Sequence, residues 1–321
     1  MSDFKPFKLK PAGKDYLWGG ERLNTVYNKN IEMNPLAETW ECSVHPDGES
    51  VIASGEFEGM SLAEFVKKNP ACLGTHAAKT MGGVFPILVK LIDAEKDLSV
   101  QVHPDDEFAL INEGGSLGKT EMWYVLDAKE DASLIYGFHR DVTREEVENA
   151  AKTGNLGKLL NRIPVKKGNV FFIPSGTVHA IGAGALIAEV QENSNITYRL
   201  YDYDRVGKDG KKRPLHIEKA LKVADFKAAG AVTQPMRTLR FKKGMATELL
   251  CSCKYFKVER LLLTGESVIE TKPNSFAVML CTEGKGNLDG TSFDTADAVF
   301  IPADSAELKI SGRAEILWIS C

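Results

Sequence analysis

The apolar residues of this chain come in short runs of roughly four to eight, each closed by Gly, Pro or Asp, and a chain punctuated this way buries itself as short strands. VFPILVKLIDA, LSVQVHP, MWYVLDA, ASLIYGF, NVFFIP, ALIAEVQ and ITYRLYDYD are the examples in the first two thirds. YFKVERLLLTG, FAVMLCTEG, AVFIPA, AELKIS and AEILWIS follow in the last third. Such a pattern predicts a mainly β chain built as barrels or sandwiches. Ser61-Leu-Ala-Glu64 and Thr143-Arg-Glu-Glu146 are capping boxes that open helices over SLAEFVKK and TREEVENAAK, and a further helical turn is expected over NLGKLLNRI. Strands resume after each, so the helices read as insertions on a β core.

At 321 residues the chain exceeds one small core. The weakly patterned stretch DFKAAGAVTQPMRT marks a boundary that divides residues 1–230 from 231–321. Both parts carry one turn pattern. Setting Pro174 of NVFFIPSG beside Pro302 of DAVFIPAD places His179 opposite Glu307, which predicts two related β-barrels, with the histidine only in the first.

The charges narrow the function. Forty basic against 44 acidic residues, a net charge of −4, leave no surplus to neutralise nucleic-acid phosphates. The apolar runs are too short to span a membrane, and MSDFKPFKLKPAGKDYLWGG has no apolar signal core. Six scattered cysteines without a CxxC pair read as reduced thiols, so a cytoplasmic protein is expected.

Chemistry gathers in three segments. In LSVQVHPDDE, period-two alternation puts Ser99, Gln101 and His103 on one strand face. In GKTEMWYVLDA, Lys119 and Glu121 share a face, and past Pro174 the chain delivers His179. Polar groups beside such apolar strands need water or a metal. Gln101, His103, Glu121 and His179 together suit zinc or another borderline divalent ion. The spacing G-x5-P-x-G-x2-H from Gly168 to His179 resembles the second motif of the cupin superfamily, whose jelly-roll barrels bind a divalent metal there. Other readings stand beside these. Lys90 suits a solvated strand edge, Arg199 an ion pair with Asp202 or Asp204, and Trp18 and Trp40 a plain core.

YLWGG, AETWECSVHPDG, LSVQVHPDDE, GKTEMWYVLDA and QENSNITYRLYDYDR, with FIPSGTVHAIGAG, resemble the type I phosphomannose isomerases in the short form typical of Gram-positive bacteria. The resemblance covers most of residues 16–205 and implies two cupin-like barrels with inserted helices, the second lacking metal ligands. It implies a zinc-dependent isomerase that interconverts mannose 6-phosphate and fructose 6-phosphate through a cis-enediol. One zinc per chain falls on His103, Glu121 and His179, with Gln101 the fourth ligand, and Arg199 and Lys119 take catalytic places. Ser99, Lys90, Trp18 and Glu41 become contacts of the phosphorylated hexose. Two positions depart from the family. Gly118 stands where longer members have histidine, and Asn195 where many relatives have aspartate, which leaves the base open among Glu192, Asn195 and a metal-bound water. A metal-dependent cupin oxygenase, with iron on the same two histidines and carboxylate, and a non-catalytic sugar-binding barrel are the alternatives. Monomer and homodimer are both compatible with the sequence.

Overall fold

The strand-sized runs pair into three antiparallel sheets in a computed structural model that describes residues 4–76, 83–207, 210–305 and 307–321. The six-stranded sheet runs Val170–Ile173, Glu121–Ala128, Ala185–Glu192, Ile87–Asp93, Glu38–Cys42, Ala12–Lys14. The five-stranded sheet runs Tyr198–Tyr201, Val100–Val102, His179–Ile181, Ser133–Phe138, Leu160–Pro164. Ile92, Trp123, Val125 and Ile187 from the first pack with Leu134 and Ile181 from the second, closing a cupin-like double layer.

The six-stranded sheet is covered on both sides. Every residue of Ile87–Asp93 and Ala185–Glu192 is buried, as near-continuous apolar runs require. The back face, with Leu91, Met122, Tyr124, Ala188 and Val190, packs against Phe276, Val278 and Phe300 of the third sheet and Phe65 of the helix Leu62–Lys68.

That third sheet has ten strands and draws most of them from residues 240–320, curled around a core of Met279, Leu288, Phe293 and Ile316. Its far edge comes from the start of the chain. Phe7–Lys10 pairs with Ala298–Ile301, Phe7 opposite Phe300, and Val51–Ile52 pairs outside it. The sheet therefore crosses the expected division at residue 230.

Both capping boxes open helices. Ser61 Oγ accepts from the Glu64 amide, and Thr143 and Glu146 cap each other reciprocally at the start of Arg144–Lys152. The helical turn expected over NLGKLLNRI forms only over its first half. A single 3-10 turn covers Leu156–Lys158, and Leu160–Pro164 pairs as a strand with Ser133–Phe138, since cross-strand pairing outweighs local propensity. Helices at Asp106–Asn112 and Ile217–Val223 were not expected. The six thiols are free, and among the described residues no helix is long and apolar enough to cross a membrane. The repeated turn is present in both barrels. His179 opens one strand and is buried, while Glu307 opens the strand Glu307–Ser320 and is exposed.

Phe300 joins these layers, fully buried and stacked on Phe7 at 5.3 Å and on Phe276 at 5.4 Å. Phe300→Ala should lower unfolding stability by about 3–5 kcal/mol in chemical denaturation. Phe241→Ala, at a residue 80% exposed, should stay within about 0.5 kcal/mol.

Candidate active site

Antiparallel register places the polar side chains in two rows. In the five-stranded sheet Arg199 lies opposite Gln101, and Gln101 opposite His179. In the six-stranded sheet Trp40, Lys90, Glu189 and Trp123 form a row, with Glu121 two residues before Trp123 on the same face. The rows meet across the interior. His179 Nε2 is 3.1 Å from Glu121 Oε1, and His103 Nε2 is 3.9 Å from Glu121 Oε2. The ligand atoms of His103, Glu121 and His179 lie within 4.8 Å of one another, so these three residues can hold a metal ion.

The turn before His179 is tied to His103. Gly176 has φ +85°, a left-handed conformation that glycine adopts without strain, and its amide donates to the His103 carbonyl at 2.9 Å. His103 Nδ1 is 2.7 Å from the Ile196 carbonyl, and His179 Nδ1 is 2.8 Å from the Thr177 carbonyl. A carbonyl can only accept, so each Nδ1 carries the proton, and in the neutral ring Nε2 is a bare lone pair. Burial and Lys119 lower both imidazoles, His179 to about 4 and His103 well below its usual value. Both are therefore neutral, as metal ligands must be.

The charges around them favour a cation. Glu38, Glu121 and Glu189 are buried with Lys90 and Lys119, three carboxylates against two ammonium groups. Lys119 Nζ donates to Glu121 Oε2 and lies 3.2 Å from His103 Nε2. Lys90 Nζ is 3.1 Å from Glu189 and 3.8 Å from Glu38. Trp123 and Trp40 donate their indole N–H groups to Glu189 and Glu38 at 2.9 and 2.8 Å. Burial and the nearby Glu189 push Glu121 above the ordinary carboxylate range. Against its own burial, Lys119 and Lys90 hold Glu189 below that range. Glu121 Oε1 is buried with no hydrogen-bond partner. An orphaned carboxylate oxygen beside the His179 Nε2 lone pair, with His103 Nε2 within 4.8 Å, fits a divalent ion.

A cavity of about 200 Å³ adjoins this cluster, lined by Trp18, Lys90, Ser99, Gln101, Lys119, Glu189 and Arg199 among others. Ser99 Oγ donates to Gln101 Oε1 at 3.2 Å, and the Gln101 amide nitrogen lies 3.5 Å from His179 Nε2. A half-turn of that amide would present its oxygen to the cluster. Arg199 pairs with neither expected aspartate. Asp202 is taken by Arg205 and Arg213, and Asp204 by Lys212. Lys90 is buried at the cavity and is not a solvated edge lysine.

Glu41 is the expected contact that lies elsewhere. Strand alternation turns Glu38 and Trp40 inward and Glu41 outward, where it pairs with Lys29 at 2.6 Å. Glu192 also faces away, accepting from the Thr120 amide at 2.6 Å, whereas Asn195 lines the cavity. No side chain fits at position 118 in this backbone, since a Cβ on Gly118 would lie 2.5 Å from the Asp105 and Asp106 backbone. Sequence reasoning missed Tyr16, Glu38, Glu189 and Arg213, all at the cavity. Charged residues inside apolar strand runs, as in ALIAEVQ, were the available signal for the two glutamates.

Residues 6–130 match the family described as phosphomannose isomerase type I, catalytic domain. The mannose-6-phosphate isomerase ManA of Bacillus subtilis is 38% identical, over 98% of this chain and 98% of its own length. The crystal structure of the mannose 6-phosphate isomerase from Bacillus subtilis superposes with a TM-score of 0.90 at 34% identity, covering 99% of this chain and 100% of that one. A zinc-bound mannose 6-phosphate isomerase shares the fold, with a TM-score of 0.76 at 19% identity and coverage of 98% and 99%.

His103→Ala should bring bound divalent metal close to background in elemental analysis after dialysis. Gly176→Ala, which forces a side chain into the left-handed region, should cost about 1–2 kcal/mol of stability and weaken metal retention, because that turn carries His179.

Proposed function

We infer the activity from one premise: this chain belongs to the type I phosphomannose isomerase family. It interconverts mannose 6-phosphate and fructose 6-phosphate, with one zinc per chain held by His103, Glu121, His179 and the Gln101 amide. The observation that carries the reading is the convergence of His103, Glu121 and His179 beside a cavity that also presents Lys90, Lys119 and Arg199. Cationic side chains on strands suit an anionic sugar and give dioxygen nothing to bind, which favours the isomerase over an oxygenase. The zinc-bound relative supports the choice of ion.

The reaction moves a proton between C1 and C2 of an open-chain sugar, a carbon acid too weak to ionise unaided. A divalent ion supplies Lewis-acid stabilisation of the developing oxyanion, worth about several kcal/mol. The protein's own groups do the rest. Arg199 stays charged at every working pH and donates in a fixed fork to the enediolate side of the sugar. Lys119, already placed against Glu121 and His103, donates to the neighbouring sugar oxygen. Ser99 and Lys90 hold further hydroxyls, and Trp18, stacked on Tyr16 at 5.6 Å, forms the apolar wall that excludes water. Asn195 is held by Asp47 at 2.8 Å beside the cavity and orients substrate rather than taking its proton, since an amide is not a base at neutral pH.

A coupled assay from mannose 6-phosphate to fructose 6-phosphate tests this directly. Chelation should abolish turnover and added zinc restore it, and silence of the metal-replete protein would sink the assignment. Arg199→Ala should lower kcat by about 10²–10³ with metal content intact, and near-normal kcat would return Arg199 to a structural role.

A further inference from the structure

We propose that Glu192, Asp106 and Tyr255 are positioning residues for Lys119: two carboxyl groups sharing one proton grip the backbone on either side of that lysine, and the second barrel holds the pair in place. This rests on the isomerase reading above, in which Lys119 donates to the sugar. Residues 116–120 form neither helix nor strand, and the sheet strand begins only at Glu121. Three consecutive amides of that segment are nevertheless bonded. Gly118 donates to Asp106 Oδ1 at 3.0 Å, Lys119 to the Pro104 carbonyl at 3.0 Å, and Thr120 to Glu192 Oε1 at 2.6 Å. The Glu192 amide donates back to the Thr120 carbonyl at 3.0 Å, and the Ser194 hydroxyl to the Leu117 carbonyl at 3.0 Å. The helix Asp106–Asn112 and the end of the strand Ala185–Glu192 thus fix the segment from two sides.

A proton joins the two carboxyl groups. Glu192 is fully buried, and its Oε2 meets no donor. Two carboxylates side by side repel, whereas one proton between them makes a hydrogen bond. Glu192 and Asp106 are hydrogen-bonded in this way. Burial and the neighbouring Asp106 push Glu192 up to about 8, so it carries the proton at neutral pH. Against partial burial, the Gly118 amide and Glu192 hold Asp106 below the ordinary carboxylate range, and Asp106 is the charged partner. Its Oδ2 is taken by the second barrel. The Tyr255 hydroxyl donates to it at 2.9 Å, and the Lys254 ammonium lies 3.3 Å away. Both residues sit in the segment between the strands Met245–Ser252 and Lys257–Leu263. Hydrogen bonds therefore run from that segment through Asp106 and Glu192 to the amides at 118 and 120. They end at a lysine whose ammonium lies against Glu121 and His103.

The test measures kcat and KM of the zinc-loaded enzyme in the coupled assay, its metal content, and amide hydrogen exchange over residues 116–120. Glu192→Ala should lower kcat by about 5- to 10-fold and speed exchange in that segment by a similar factor, with KM and metal content changed by less than about twofold. Glu192→Gln keeps an acceptor for Thr120 and an N–H for Asp106 without needing the proton. It should bring kcat back to within about twofold of wild type, a rescue that a role for Glu192 as the proton-abstracting base forbids. Unchanged kcat or unchanged exchange in folded Glu192→Ala overturns the proposal, and so does a Glu192→Gln variant as slow as Glu192→Ala. Should Glu192→Ala not fold, Tyr255→Phe, which takes one donor from Asp106, is read instead. A kcat lower by about threefold with faster exchange over 116–120 supports the proposal, and unchanged values overturn it. A wild type that turns over no mannose 6-phosphate, while Glu192→Ala speeds exchange as expected, would overturn the isomerase reading alone.

Discussion

Charged side chains in a sheet covered on both faces are the constraint on which the rest of the molecule depends. Glu38, Glu121, Glu189, Lys90 and Lys119 are each nearly inaccessible, so none can rely on water. Removing one partner of a buried pair costs about 3–5 kcal/mol, mostly from the charge left behind. The row Trp40–Lys90–Glu189–Trp123 answers this by alternating donor, cation, anion and donor across neighbouring strands. Two of the largest residues in the interior each serve a carboxylate through one indole N–H. What remains is one uncompensated negative charge, opposite two imidazoles that burial and Lys119 keep unprotonated. Burial and Lys119 keep protons off the two imidazoles, while the unbalanced carboxylate leaves room for a cation.

The turn after the apolar run occurs in both barrels, so the turn alone makes no site. In the first barrel its glycine amide is spent on the carbonyl of His103, which couples one ligand's backbone to the approach of the other. In the second, Glu307 stands exposed at the same place, and among the described residues the only cluster able to hold a metal is His103, Glu121 and His179. The second barrel contributes packing instead, through Phe276, Val278 and Phe300 against the back of the sheet.

Much of this was legible in the sequence, because the ligand types and their strand phase are local properties. Gln101 lies in one short strand and His103 one residue past its end in the same phase, and His179 follows a turn that Pro174 and Gly176 dictate. Strand phase also explains the failure at Glu41. The segment AETWEC holds two glutamates, and only the register against Ile87–Asp93 decides that Glu38 faces the cavity. Glu189 stood out only as a charge inside an apolar run, and its partners Lys90 and Trp123 lie on other strands, where sequence gives no pairing. The pairing of Phe7 with Phe300 is a contact between the ends of the chain, beyond any local signal. Leu160–Pro164 became a strand because an edge was available on Ser133–Phe138, again a non-local fact.

Register is therefore the quantity the fold must protect, because a slip of one residue would exchange the faces of a whole strand. The back-face contacts supply that protection. The strand that sends Glu121 and Trp123 inward sends Tyr124 outward, where its hydroxyl donates to Glu315 of the second barrel at 2.8 Å. The strand that sends Glu38 and Trp40 inward sends Glu41 outward to Lys29, whose ammonium also donates to the Ala296 carbonyl at 2.6 Å. Each tie is polar, mostly buried and satisfied only in one register, so a slipped strand would leave a carboxylate or phenol without its partner. Among the described residues the second barrel holds no metal-binding cluster, yet through Glu315 and Ala296 it fixes which residues of the first barrel face the cavity.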